Sequence, residues 1–175
     1  MNSAPIDSIT HSLELTSPRE STLPGMGKKL GIVGYTAGAF DVFHIGHLNL
    51  LKRAREKCDY LIVGVTTDEL VLQTKNKRPL STLEERMSII ASLKYVNQVV
   101  VQDNLDKVQA WYQYKFDILF SGDDWKNTPR WKEYEAKLQR LGAKVIYFPY
   151  TQTISSTRLR DYAVSDVKMD SPLNH

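Results

Sequence analysis

Between residues 30 and 148, short apolar runs alternate with longer stretches in which apolar positions recur every three or four residues. The runs at 30–36, 60–65, 98–101, 117–120 and 144–148 have the length of buried strands and their content of branched and aromatic residues. The stretches between them predict helices over 46–57, 68–73, 83–94, 105–114 and 129–141, and a last helix follows over 156–163. Thr82 and Glu85 have the spacing of a capping box at the start of the third. Strands separated by helices need crossover connections, and these make the strands parallel. The expected fold class is therefore α/β: a Rossmann-like, doubly wound parallel sheet of about five strands with helices on both faces.

The ends break the pattern. Residues 1–29 are rich in Ser, Thr and Pro and lack periodicity, which predicts a disordered leader, and 165–175 reads as a flexible tail. The 175 residues, 42% hydrophobic and 25% charged, suit one core and are too few for two, so 30–164 is expected to be a single domain. A net charge of +3 and a pI near 8.9 come from basic residues interspersed with acidic ones. Without a basic stripe, nucleic acid is disfavoured as a partner and a small anion fits better. The one cysteine, Cys58, excludes an internal disulfide and points to a reducing cytoplasm. No apolar run approaches the ~18 residues that span a bilayer, so no membrane insertion is expected.

Of the four histidines, His11 and His175 lie in the polar ends, while His44 and His47 share one short window. That window follows the first strand and a glycine-containing turn, and it opens the first helix. At the carboxyl end of a parallel sheet, such a corner presents free helix N–H groups to an anion. The spacing could also suit zinc, but no third ligand lies nearby, and two surface histidines without a role are the plain alternative. Gly31, Gly34 and Gly38 do not match a dinucleotide fingerprint.

Three further junctions carry candidate chemistry. The loop 74–80 holds Lys75 and Lys77 and is either a solvated basic turn or a phosphate contact. Gly122-Asp123-Asp124-Trp125 follows the fourth strand and reads as a turn or as part of a site. Ser155, Ser156 and Thr157 are either N-capping hydroxyls or anion ligands. Convergence of all four at one end of the sheet favours a phosphate site.

Gly38-Ala39-Phe40-Asp41-Val42-Phe43-His44-Ile45-Gly46-His47 resembles the G-x-F-D-x-x-H-x-G-H signature of the HIGH-motif nucleotidylyltransferases, and specifically of the cytidylyltransferases. Thr67-Asp68-Glu69, Glu85-Arg86, Lys94-Tyr95-Val96 and Ile154-Ser155-Ser156-Thr157 resemble its later motifs, so the likeness runs from about Leu30 to Asp161. The resemblance implies transfer of CMP from CTP to a small phosphorylated alcohol, with glycerol 3-phosphate first among the acceptors; the alternatives are cytidylyl or adenylyl transfer to another phosphate or phosphonate, or a nucleotide-binding module without turnover. It implies Mg²⁺ accompanying CTP and a homodimer. His44, His47, Lys77 and Arg86 would be catalytic. Gly38, Ala39, Phe40, Lys75, Asp123, Thr151, Ile154, Ser155, Ser156 and Thr157 would bind nucleotide, and Lys94, Trp125 and Tyr150 would face the acceptor. The sequence departs from the resembling enzymes where Tyr150 replaces an arginine before Thr151, where Ala39 replaces a small hydroxyl residue, and where Lys94 replaces an arginine. The last change keeps charge and loses the bidentate fork.

Overall fold

The computed structural model describes residues 31–149 together with Leu159. Its elements are β1 (Val33–Gly38), α1 (Ile45–Arg55), β2 (Tyr60–Thr66), α2 (Asp68–Lys75), α3 (Leu83–Ala91), β3 (Gln98–Gln102), α4 (Lys107–Tyr114), β4 (Ile118–Gly122), a 3-10 turn (Asp123–Trp125), α5 (Pro129–Arg140) and β5 (Lys144–Phe148). The five strands form one sheet in the order β3-β2-β1-β4-β5, and every pairing is parallel. The chain order reverses between β1 and β4, which makes that crevice the topological switch point where ligands bind open α/β sheets. The expected leader and tail, and all of the last expected helix except Leu159, which is helical, lie outside the described residues.

Alternation along each strand divides the core between the two faces. Leu61, Val63 and Val65 of β2 and Ile118 and Phe120 of β4 pack with Leu51 and Ala54 of α1 and Ile90 of α3. Val33, Tyr35, Ile62 and Leu119 point the other way, against Trp131 and Leu138 of α5 and Phe116, with Trp111 of α4 at the margin. Central strands apolar on both faces are what a doubly covered parallel sheet requires. Gly34 leaves room for the Phe120 ring of β4 and for Cys58 in the segment after α1, since a Cβ there would meet them at 2.6 and 2.7 Å.

Several element ends fall away from the expected positions. β1 starts at Val33 and runs to Gly38, because Gly31 takes a left-handed φ of +67° and the Ile32 and Val33 amides are tied to the carboxylates of Asp59 and Asp117. α4 starts after Asp106, whose side chain caps the amides of Val108 and Gln109. α2 runs on to Lys75, so this lysine ends a helix instead of lying in the loop. The capping box at Thr82 and Glu85 forms as its spacing predicts.

Candidate active site

The turn between β1 and α1 is built from strained backbone. Phe40 and Val42 adopt left-handed φ values of 50° and 48° on either side of Asp41. For a β-branched residue such as Val42 this conformation costs about 1–3 kcal/mol and persists only where the surroundings over-determine it. The consequence here is a tight corner that tucks the Phe40 ring into the core and leaves His44 extended as the N-cap of α1. Phe40, expected at the nucleotide, is 3% exposed and packs in the core beside His47.

His44 Nδ1 accepts a hydrogen bond from the Gly46 amide at 3.1 Å. In the neutral ring the proton must then sit on Nε2, which makes that nitrogen a donor. His47 stacks on His44 with ring centroids 3.9 Å apart and planes 22° apart, and the Phe40 and Phe43 rings lie 5.3 and 5.6 Å from it. Its Nδ1 is inaccessible and has no hydrogen-bond partner among the described residues. Burial, helped by the charges of His44 and Lys75 and opposed by Asp41, pushes His47 down to about 3, and burial also lowers His44. Two neutral, preorganised imidazoles therefore open α1 at neutral pH.

This protonation state predicts a pH dependence of stability. A histidine depressed in the fold takes its proton more readily in the unfolded chain, so its contribution is complete above the ordinary value near 6.5 and drains as pH falls toward 3. Thermal unfolding followed by circular dichroism should show a midpoint that drops between pH 6.5 and 4. The share traceable to His47 is at most about 3 kcal/mol, and a His47→Gln variant should show a shallower fall; an equally steep profile would refute the assignment.

Lys75 brings the neighbouring junctions to this corner. Its charge acts on His47 and also on Asp124, whose carboxyl is raised first by burial and is further raised by Asp123. The carboxyl ends of β1 and β4 and the end of α2 thus share one electrostatic neighbourhood. Lys77 lies exposed two residues past Lys75, and Trp125 stands half-exposed after β4 with its ring centroid 6.5 Å from that of Trp131. Lys94 is exposed beside the Tyr95 ring, which Lys52 of α1 also approaches. Tyr150, Thr151, Ile154, Ser155, Ser156 and Thr157 lie outside the described residues.

Arg86 is buried within the protein. Its residue is 1% exposed, and its guanidinium donates to the Ser81 carbonyl at 3.2 Å, to the Ala39 carbonyl and to the Asp68 carboxylate. It joins the histidine turn, α2 and the start of α3, and these contacts hold the residue to which the family resemblance gives a catalytic role. Two carboxylates at this corner carry no role in the sequence motifs. Asp124 was visible in its motif but shared it with Asp123, and Asp41 was visible in the signature without a task.

Residues 35–162 match the family described as cytidylyltransferase-like. The chain belongs to the cytidylyltransferase-like family. The glycerol-3-phosphate cytidylyltransferase of Bacillus spizizenii is 39% identical over 127 residues, covering 71% of this chain and 92% of that one. The FAD synthase of Thermococcus sibiricus is 35% identical over 126 residues, covering 71% and 85%. Among solved structures, a lipopolysaccharide core biosynthesis protein from Thermoplasma volcanium is similar with a TM-score of 0.59 and 27% identity, covering 71% of this chain and 99% of that one. Membership of the cytidylyltransferase-like family agrees with the signature at Gly38 to His47 and with the parallel sheet that carries it.

Proposed function

We propose that this chain transfers CMP from CTP to a small phosphorylated alcohol, releasing pyrophosphate, with glycerol 3-phosphate the first candidate acceptor. The observation that carries the reading is the stacked, neutral His44–His47 pair at the mouth of α1, within the electrostatic reach of Lys75. The similarity to a glycerol-3-phosphate cytidylyltransferase over nearly all of that enzyme supports the acceptor.

An acceptor phosphate is already an anionic nucleophile and needs no covalent help from the protein. One of its oxygens bonds to the α-phosphorus of CTP while the α–β bridging bond breaks, and the electron pair leaves with pyrophosphate. The protein's task is to hold both phosphates in line and stabilise the charge that spreads over equatorial and leaving oxygens. Imidazole N–H donors serve that purpose at neutral pH, with Lys75, Lys77 and the N-terminus of α1 adding positive potential. Gly38 and the Ala39 backbone would border the nucleotide, Asp123 and the 151–157 segment would hold it, and Lys94, Trp125 and Tyr150 would meet the acceptor.

Mg²⁺ fits as a companion of the CTP phosphates, where it would offset pyrophosphate charge. Among the described residues no group of three or more His, Cys, Asp or Glu could cage a metal, and Mg²⁺ commonly keeps most of its ligands from phosphate and water. We further propose a homodimer in the cytoplasm. No helix among the described residues is long and apolar enough to cross a membrane.

Pyrophosphate release from CTP and ATP, each with glycerol 3-phosphate, phosphoethanolamine, ribitol 5-phosphate and FMN, tests the reading. CTP with glycerol 3-phosphate should give the highest kcat/KM. The FAD synthase relative makes adenylyl transfer to FMN the second reading. Turnover with ATP and FMN alone would establish it, and no turnover with any pair would leave a nucleotide-binding module.

A further inference from the structure

The lysine loop is fastened to the histidine turn by one buried carboxylate. Asp41 Oδ1 accepts the Leu80 amide at 2.9 Å, across 39 residues of sequence. Asp41 is 9% exposed and sits between the two left-handed residues Phe40 and Val42, so the unusual backbone of the turn fixes the position from which its carboxylate acts. At the near end of the loop, the left-handed Asn76 ends α2 with its amide on the Leu72 carbonyl at 2.9 Å. Between these two fixed points lie only Lys77, Arg78 and Pro79. Arg86 adds a parallel tie, since it donates to Ala39 on the turn and to Ser81 beyond the loop.

We infer that Asp41 is a positioning residue, whose carboxylate closes the 76–80 loop onto the β1–α1 turn and thereby sets Lys77 relative to His44 and His47. The inference rests on the cytidylyl-transfer reading for its effect on turnover, and on geometry alone for its effect on the loop. A short span pinned at both ends has few conformations, so little ordering remains to be done when a triphosphate enters. Cutting one pin leaves the lysine in place chemically but widens the volume it samples. The property that matters is an acceptor at Oδ1. A role as metal ligand or as counter-charge to His47 would instead require the full negative charge.

Asparagine keeps the acceptor and discards the charge, which separates these possibilities. Limited trypsin digestion of the full chain reads the loop without substrate, through cleavage after Lys75 and Lys77. For Asp41→Ala we expect cleavage there to accelerate about tenfold, with kcat about tenfold lower and the acceptor KM changed less than about threefold. Asp41→Asn should restore both rates to within about threefold of wild type. Because Asp41→Ala leaves an amide unsatisfied and could fail to fold, Leu80→Pro provides the second variant. It removes the donor from an exposed loop position and should reproduce the faster cleavage. Wild-type cleavage in Asp41→Ala and Leu80→Pro, or an Asp41→Asn enzyme as impaired as Asp41→Ala, overturns the inference. The digestion result is independent of whether the enzyme uses CTP, so it cannot be confused with a failure of the proposed reaction.

Discussion

His47→Ala is expected to lower kcat for nucleotidyl transfer about a hundredfold or more, the loss seen when a preorganised donor to a developing oxyanion is removed. The expectation rests on how completely His47 is held. It stacks on His44 at 3.9 Å, lies against Phe40 and Phe43, and is kept neutral by burial, so its orientation costs nothing at the moment of reaction. The substrate KM values should move much less than kcat, because the lost contact strengthens as charge develops. His44→Ala should share the kinetic defect and add the loss of an N-cap, about 1 kcal/mol of stability. Steady-state pyrophosphate release and thermal unfolding measured on both variants check the pair. Turnover within a few-fold of wild type in both would remove the imidazoles from the phosphate chemistry.

Arg86→Met is expected to act first on stability. The guanidinium serves three acceptors from three parts of the chain, and its removal strands the Ser81 and Ala39 carbonyls and leaves Asp68 without its ion pair. Breaking a fully buried pair costs about 3–5 kcal/mol. Asp68 retains partial access to water, with its side chain 26% exposed, which reduces the cost to about 2–4 kcal/mol. For a domain of this size the melting temperature should fall by about 10 °C. Arg86→Lys should recover little, since one ammonium cannot span the three acceptors in the geometry of a planar fork. The opposite result is equally readable. An unchanged melting temperature with turnover abolished would mean that Arg86 acts in catalysis, as the family resemblance implies.

Asp68 and Arg86 lie eighteen residues apart in sequence, and the family resemblance that gives the arginine a catalytic role says nothing of this ion pair. Nothing in its spacing announces that it is 1% exposed, because that follows from the packing of α3 beneath the β1–α1 turn. The Asp41–Leu80 tie was hidden for the same reason, and so was the neutrality of His47, which burial produces and no short motif encodes. Lys75 reads as a loop residue because the helical pattern of α2 is short and polar at its end. Its last turn forms because Asn76 adopts the left-handed conformation that closes a helix.

Signals confined to a few neighbouring residues are enough for the alternation of strand and helix, the parallel sheet covered on both faces, the capping box at Thr82 and the placing of His44 and His47 at the start of α1. Periodicity and capping act over one or two helical turns, and the right-handed crossover then leaves few topologies open. Tertiary structure alone decided where β1 begins, since Asp59 and Asp117 set that edge from 27 and 84 residues away. It also decided which charged side chains are buried and which are exposed. Burial and long-range hydrogen bonds depend on where distant segments pack, so residues of the same type, such as Arg86 and Arg78, take opposite surroundings once the chain has folded.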